Sequence, residues 1–152
     1  MRTTRPAIVT ATIALSILFL SGCAGLIGPD RDADGRVTGT TEINSIELVN
    51  GDCFTFVDGT SNARASVTPC ESTHTHIVIG SGDLTTAAID EAGGLQNAVS
   101  ASCAEGFEVY KAAAAEGTKP AQEFIVAEVE RDGKPVTAYL CVATDAPASA
   151  AG

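Results

Sequence analysis

Cysteine and histidine carry most of the chemistry open to this sequence. Leu20-Ser21-Gly22-Cys23 closes an uncharged, largely apolar run behind Arg2 and Arg5. That order reads as a lipobox: a short positive start, an apolar stretch from Ala7 to Leu20, small Ser21 and Gly22, and then a cysteine at the cleavage point. An ordinary secretory site needs small residues but no cysteine after the cut. Here the Cys23 thiol is placed to take a diacylglycerol and become the mature N-terminus. A bilayer-spanning helix needs about 20 predominantly apolar residues, and the uncharged stretch from Ala7 to Leu20, fourteen residues in all, falls short of it.

Once Cys23 is assigned to lipid, Cys53, Cys70, Cys103 and Cys141 remain. An even number of cysteines in a small exported domain predicts a disulfide framework. Three pairings are possible. Cys53–Cys70 and Cys103–Cys141 are favoured, because the first pair flanks a hairpin and the second ties a helix to the last strand. A zinc site competes, since Cys70-x3-His74 has ligand-like spacing, but no C-x2-C pair accompanies it.

His74 and His76 are the only histidines. Two residues apart on a strand, they point to one face and would share a divalent metal, with Glu71 as the third ligand. The bland alternative has His74 fixing the turn after Cys70 through a local hydrogen bond, with His76 exposed. Asp30-Arg31-Asp32-Ala33-Asp34-Gly35 matches the opening of an EF-hand loop, yet position 12, where calcium needs a bidentate Glu, is Thr41. Leu26-Ile27-Gly28-Pro29 supplies no flanking helix, so this stretch reads as an acidic solvated spacer.

The inventory for catalysis is thin. There is no G-x-S-x-G elbow, no H-E-x-x-H and no phosphate-cradling glycine loop. Ser72 beside His74 makes no triad, because near neighbours rarely set a hydroxyl on an imidazole with an orienting acid behind it. Cys70 near His74 imitates a thiol nucleophile, but a disulfide-bonded sulfur offers no thiolate. The expectation is a protein that is not an enzyme and takes no cofactor. An envelope hydrolase is disfavoured on this inventory.

The elements that must position these residues follow from pattern. Ile46-Glu47-Leu48-Val49 reads as a short strand ended by the turn signal Asn50-Gly51-Asp52. Cys53 to Val57 and Ala63 to Thr68 read as a strand pair punctuated by Asp58-Gly59, and His74 to Ile79 as another strand stopped by Gly80-Ser81-Gly82. From Leu84 the period becomes helical. Asp83 or Thr85 caps a first turn through Ile89, and Gly93-Gly94 breaks it. Leu95, Val99, Cys103, Phe107 and Tyr110 then form one apolar stripe on a helix to about Ala115, with Gly117 as its terminating residue and Pro120 beyond. Phe124 to Val129 and Val136 to Val142 bracket Asp132-Gly133-Lys134-Pro135 as a C-terminal hairpin.

The fold class is therefore α+β: a small, mostly antiparallel sheet with one principal helix, stapled by two disulfides. Residues 1–22 are the signal peptide, 23–42 a lipidated N-terminus and flexible spacer, 43–144 the folded domain and 145–152 a disordered small-residue tail.

The chain carries nine basic and nineteen acidic residues. Arg2 and Arg5 leave with the signal peptide, so seven stand against nineteen and the mature net charge is −12. Nucleic acid is excluded as a partner, since phosphate contacts need clustered Lys and Arg. No polybasic stretch follows Cys23, so membrane attachment would come from the acyl chains.

Gly51-Asp52-Cys53, Thr68-Pro69-Cys70 with His74 four residues on, Cys103 before Gly106-Phe107 and Tyr110, and the late Cys141 together resemble the septum formation family. Its members are small secreted or membrane-attached domains of actinobacterial cell envelopes. The resemblance covers about residues 48–142. Thr73 stands where the family usually has Pro, Ile77 where it has an acidic residue, and Tyr139 is the aromatic nearest the place of its tryptophan. The resemblance implies a process, cell-envelope or division-related, and a location at the cell membrane on its extracytoplasmic face. It implies no reaction. The expected role is a non-enzymatic binding module with an envelope protein as partner. The alternative is a metal- or small-ligand-binding lipoprotein using His74, His76 and Glu71.

Overall fold

The computed structural model describes residues 28–58, 63–115 and 118–144. Six strands form one sheet: β1 (Thr41–Asn44), β2 (Cys53–Phe56), β3 (Arg64–Thr68), β4 (His76–Leu84), β5 (Gln122–Arg131) and β6 (Lys134–Thr144). Their order across the sheet is β1-β3-β2-β4-β6-β5, and every neighbouring pair is antiparallel. Two helices, α1 (Thr86–Glu91) and α2 (Leu95–Ala113), connect β4 to β5. The α+β class and both disulfides stand as the sequence indicated: Cys53–Cys70 with Cα atoms 5.1 Å apart, and Cys103–Cys141 with Cα atoms 5.4 Å apart.

Local chemistry explains most of the elements. Thr85 caps α1, its Oγ1 accepting from the Ala88 N–H at 3.2 Å. Gly93 and Gly94, both at positive φ, separate the two helices. Asp132 (φ 52°) and Gly133 (φ 73°) form the two-residue turn joining β5 to β6. Positive φ at both central positions matches the right-handed twist of the flanking strands, hence the Asp-Gly pair.

The sheet buries both faces. On one, Ile43, Phe54, Val67, Val78, Ile125 and Val142 form the larger core, with Leu48 and Val37 packed against them. On the other, α2 lies over β4 and β6, and Val99, Cys103 and Cys141 form a second cluster with Ile79, Leu84, Phe124 and Tyr139. Alternation along β6 divides its residues: Leu140 and Val142 serve the first core, Tyr139 and Cys141 the second.

Four expectations are corrected. Ile46 to Val49 is not a strand: Ser45–Glu47 is a 3-10 turn capped by the Asn44 side chain, and the strand precedes it as Thr41–Asn44. Asn44 competes for backbone hydrogen bonds as Asx residues do, which ends β1 early. Gly80-Ser81-Gly82 does not stop β4, which runs on to Leu84 beside β6. Between Val78 and Gly80 the register shifts, a bulge that absorbs one extra residue instead of breaking the strand.

The apolar stripe of α2 is narrower than its period suggests. Val99 and Cys103 are buried, whereas Leu95, on the first turn, is 38 % exposed. The spacer boundary at residue 42 is also too late. Val37 is in the core, Arg31 bridges Val37 in an antiparallel pair, and Thr41 begins β1, so the folded unit reaches back to about residue 30. Cys23, Gly117 and the tail 145–152 lie outside the described residues.

Candidate functional site

The turn before β2 organises the first candidate region. Val49 to Asp52 closes on itself through the Asp52 N–H and the Val49 carbonyl at 3.0 Å. The Asp52 side chain, 2 % exposed, accepts from the Val49 N–H at 2.9 Å and from both terminal nitrogens of Arg31, at 2.7 and 2.8 Å. Two parallel charge-assisted bonds satisfy a carboxylate that would otherwise be buried uncompensated. Those hydrogen bonds hold the Arg31 guanidinium above its ordinary pKa, against a smaller opposing effect of burial.

The acidic stretch supplying Arg31 forms a compact loop. Asp32 Oδ1 accepts from the N–H groups of Asp34 and Arg36, both at 2.9 Å, and Arg31 also donates to the Gly35 carbonyl at 2.9 Å. The Asp32 side chain therefore serves its own backbone as an Asx turn. Loop and turn together wall a cavity of about 440 Å³ that Cys53, Cys70 and Glu71 also line.

The sequence-derived ligand set is not brought together. His74 lies before β4, and its Nδ1 meets the Ser72 carbonyl at 2.8 Å, the local turn contact expected of it. Glu71 is exposed beside the cavity. His76, the first residue of β4, is registered with Phe54 and Thr144, and its side chain is only 15 % exposed. Among the described residues, no three His, Cys, Asp or Glu groups are placed to hold a metal ion. The exposed His76 of the bland reading is corrected too. Pairing with Phe54 across the β2–β4 ladder sets its ring on the core side of the sheet.

What His76 does meet comes from distant parts of the chain. Its ring stacks on Phe54 with centroids 5.2 Å apart and tilts against Phe56 at 4.8 Å. Nδ1 is 2.7 Å from Thr75 Oγ1, and Nε2 is 3.5 Å from Glu123 on β5. Burial pushes the imidazole pKa below the ordinary histidine value, and the charge of Glu123 pulls it partly back. A hydroxyl, an imidazole and a carboxylate thus stand in line. The 3.5 Å separation is long for a hydrogen bond, and the arrangement acts as a clasp holding β2, β4 and β5 at one end of the sheet. Neither Glu123 nor Arg31 carried a signal in the sequence, since each meets its partner only through the sheet order or a loop return.

A second, more apolar cavity of about 620 Å³ runs between α2 and β4. Ile79, Val109, Tyr110 and Tyr139 line it, and the Cys103–Cys141 disulfide lies at its floor. Val109, 67 % exposed, is the most exposed of the large hydrophobic residues described. Within the described residues no helix is long and apolar enough to cross a membrane. No family model matches the chain, and neither a curated protein nor a solved structure matches it.

Proposed function

We propose that this chain is a membrane-anchored extracytoplasmic lipoprotein whose folded unit is a non-enzymatic binding module, engaging another envelope protein in cell-envelope or division-related processes. The observation that carries this reading is the cysteine pairing. Four of the five cysteines are consumed by two disulfides, and the one outside both pairs is Cys23, at the end of the apolar run. Disulfides suit an oxidising compartment, and a cysteine in that place suits lipid. The resemblance to the septum formation family supports the assignment to envelope processes.

The apolar groove beside α2 is the recognition surface on this reading. Its walls are tied by Cys103–Cys141, so it is held in shape before a partner arrives, which lowers the ordering cost of binding. The acidic surface keeps the unit off nucleic acid and off anionic headgroups.

Fractionation tests the anchor. Wild type should sediment with membranes and carry a diacylglycerol mass on Cys23, and Cys23→Ser should move to the soluble fraction. An unmodified Cys23 at the N-terminus, or a Cys23→Ser protein still in the membrane, removes the lipoprotein reading. A photo-crosslinker at position 109 tests the surface in the intact envelope. A single adduct of defined mass there, missing when the crosslinker is moved to Val57, supports the groove. Equal labelling from both positions removes it.

A further inference from the structure

The two disulfides are not chemically equivalent. Cys103 and Cys141 are 1 % and 2 % exposed, packed beneath Ile79, Phe124 and Tyr139. Cys53 is 1 % exposed as well, but its partner Cys70 is exposed, in the turn following β3. Both Cys53 and Cys70 line the 440 Å³ cavity beside Arg31, Arg36 and Glu71. Thiol–disulfide exchange needs a thiolate to approach one sulfur in line with the S–S bond. Exposed Cys70 offers an attacking thiolate one outer sulfur, whereas Cys103 and Cys141, although they border the cavity beside α2, are both almost fully buried.

We propose that Cys53–Cys70 is a thiol-exchange site for a dithiol reductant of the extracytoplasmic space, whereas Cys103–Cys141 is a permanent structural bond. One thiolate of the dithiol attacks Cys70 Sγ. The S–S bond breaks, and Cys53 Sγ leaves with the electron pair and takes a proton from bulk solvent. The second thiolate then attacks its own partner's sulfur in the mixed disulfide, expelling Cys70 Sγ, which also takes a proton. Two electrons pass from the dithiol, which becomes a disulfide, to the Cys53–Cys70 bond, which becomes two thiols.

The surrounding fold limits the change to one region. The β2–β3 ladder spans four registered pairs, from Cys53↔Thr68 to Phe56↔Ala65. The following turn keeps the Ser72 N–H on the Pro69 carbonyl at 2.8 Å and the Thr75 N–H on the Phe54 carbonyl at 3.2 Å. Opening the disulfide frees the Cys70 side chain and the wall of the cavity while these backbone bonds stay. The extracytoplasmic reductant rests on the lipoprotein reading, but the unequal reducibility of the two pairs is measured without lipid at Cys23, so the two fail separately.

The test uses the full chain in detergent micelles at neutral pH, with dithiothreitol as the dithiol. Aliquots quenched with N-ethylmaleimide are mapped by peptide mass spectrometry. Cys53 and Cys70 should be alkylated at least tenfold faster than Cys103 and Cys141, with the far-ultraviolet circular dichroism unchanged. Equal rates for the two pairs, earlier opening of Cys103–Cys141, or loss of the dichroism as Cys53–Cys70 opens would each overturn the proposal. Two single variants test the order of attack. Free Cys70 in Cys53→Ser should react with an aromatic disulfide reagent at least tenfold faster than free Cys53 in Cys70→Ser. Equal reactivity would overturn attack at Cys70.

Discussion

Arg31 and Asp52, twenty-one positions apart, meet through two hydrogen bonds of 2.7 and 2.8 Å that close on a carboxylate 2 % exposed. The pair fastens the acidic loop to the turn that launches β2, and Val37 follows Arg31 into the core. Asp52 of the Gly51-Asp52-Cys53 turn is thereby explained as an organiser of backbone and guanidinium, with no reaction assigned to it. The loop that resembles the start of a calcium site is instead held by a cation from within itself.

Removing the guanidinium should leave Asp52 buried and short of partners. Arg31→Ala is expected to cost about 2 kcal/mol, the penalty of an unsatisfied buried group. The double variant Arg31→Ala, Asp52→Ala should cost less than the sum of the two single variants, since the second loss removes the orphaned charge. Urea denaturation of the four proteins measures this. Strict additivity would mean the pair contributes no coupling.

The disulfides should differ in what their loss costs. Their partners are 17 and 38 positions apart, and loop-closure entropy assigns about 3 kcal/mol to the shorter and about 4 kcal/mol to the longer. Cys103→Ser, Cys141→Ser also places two hydroxyls in a cluster of Val99, Ile79 and Tyr139, which adds desolvation cost. That double variant should melt below Cys53→Ser, Cys70→Ser. The reverse order in a thermal scan would show that the α2 face contributes less to stability than its burial implies.

Close approach of α2 to the sheet makes a further expectation. A Cβ on Gly106 would stand 3.1 Å from the Ile79 carbonyl oxygen, a backbone atom at the bulge in β4. Gly106→Ala gains about 1 kcal/mol of helix propensity and loses a similar amount to that contact, so its stability should be near wild type. Gly106→Val gains less propensity and adds bulk, and should destabilise by about 1–3 kcal/mol. A denaturation midpoint for Gly106→Val at or above wild type would mean the helix can move off the sheet freely.

How far the sequence foretold this molecule depended on the range of each interaction. Turn chemistry is local, so Asn50-Gly51-Asp52, Asp132-Gly133 and the Thr85 cap were all readable from neighbouring residues. The cysteine pairs followed from parity and from the elements on which they sit. Asn44 hid the first strand, because one Asx residue ended it before any alternation could accumulate. Gly80 and Gly82 carry a breaker signal because glycine weakens isolated strands, yet pairing with β6 holds them in the sheet. Leu95 satisfied the helical period but sits on the first turn of α2, where it stays partly exposed. Glu123 stands forty-seven positions from His76. Only the sheet order, with β6 between β4 and β5, decides that they meet.

That meeting gives the fold a signed dependence on pH. The ring of His76 is 85 % removed from solvent against Phe54 and Phe56, and burial outweighs Glu123 in setting its pKa below the unfolded value of about 6.5. Between those two values the unfolded chain binds more protons than the folded one. The stability linked to His76 is therefore fully present above about pH 6.5 and is lost as the pH falls through the folded pKa. Wild type should melt at progressively lower temperature on acidification through this window, and His76→Phe should flatten that part of the profile. Glu123→Gln removes the charge that opposes burial, so the His76 pKa should fall further. Nuclear magnetic resonance titration of the imidazole C–H signals, with His74→Gln to assign them, reads both proteins. An unchanged or raised His76 pKa in Glu123→Gln would mean that the carboxylate does not act on the ring, and the clasp between β4 and β5 would then rest on the aromatic contacts alone.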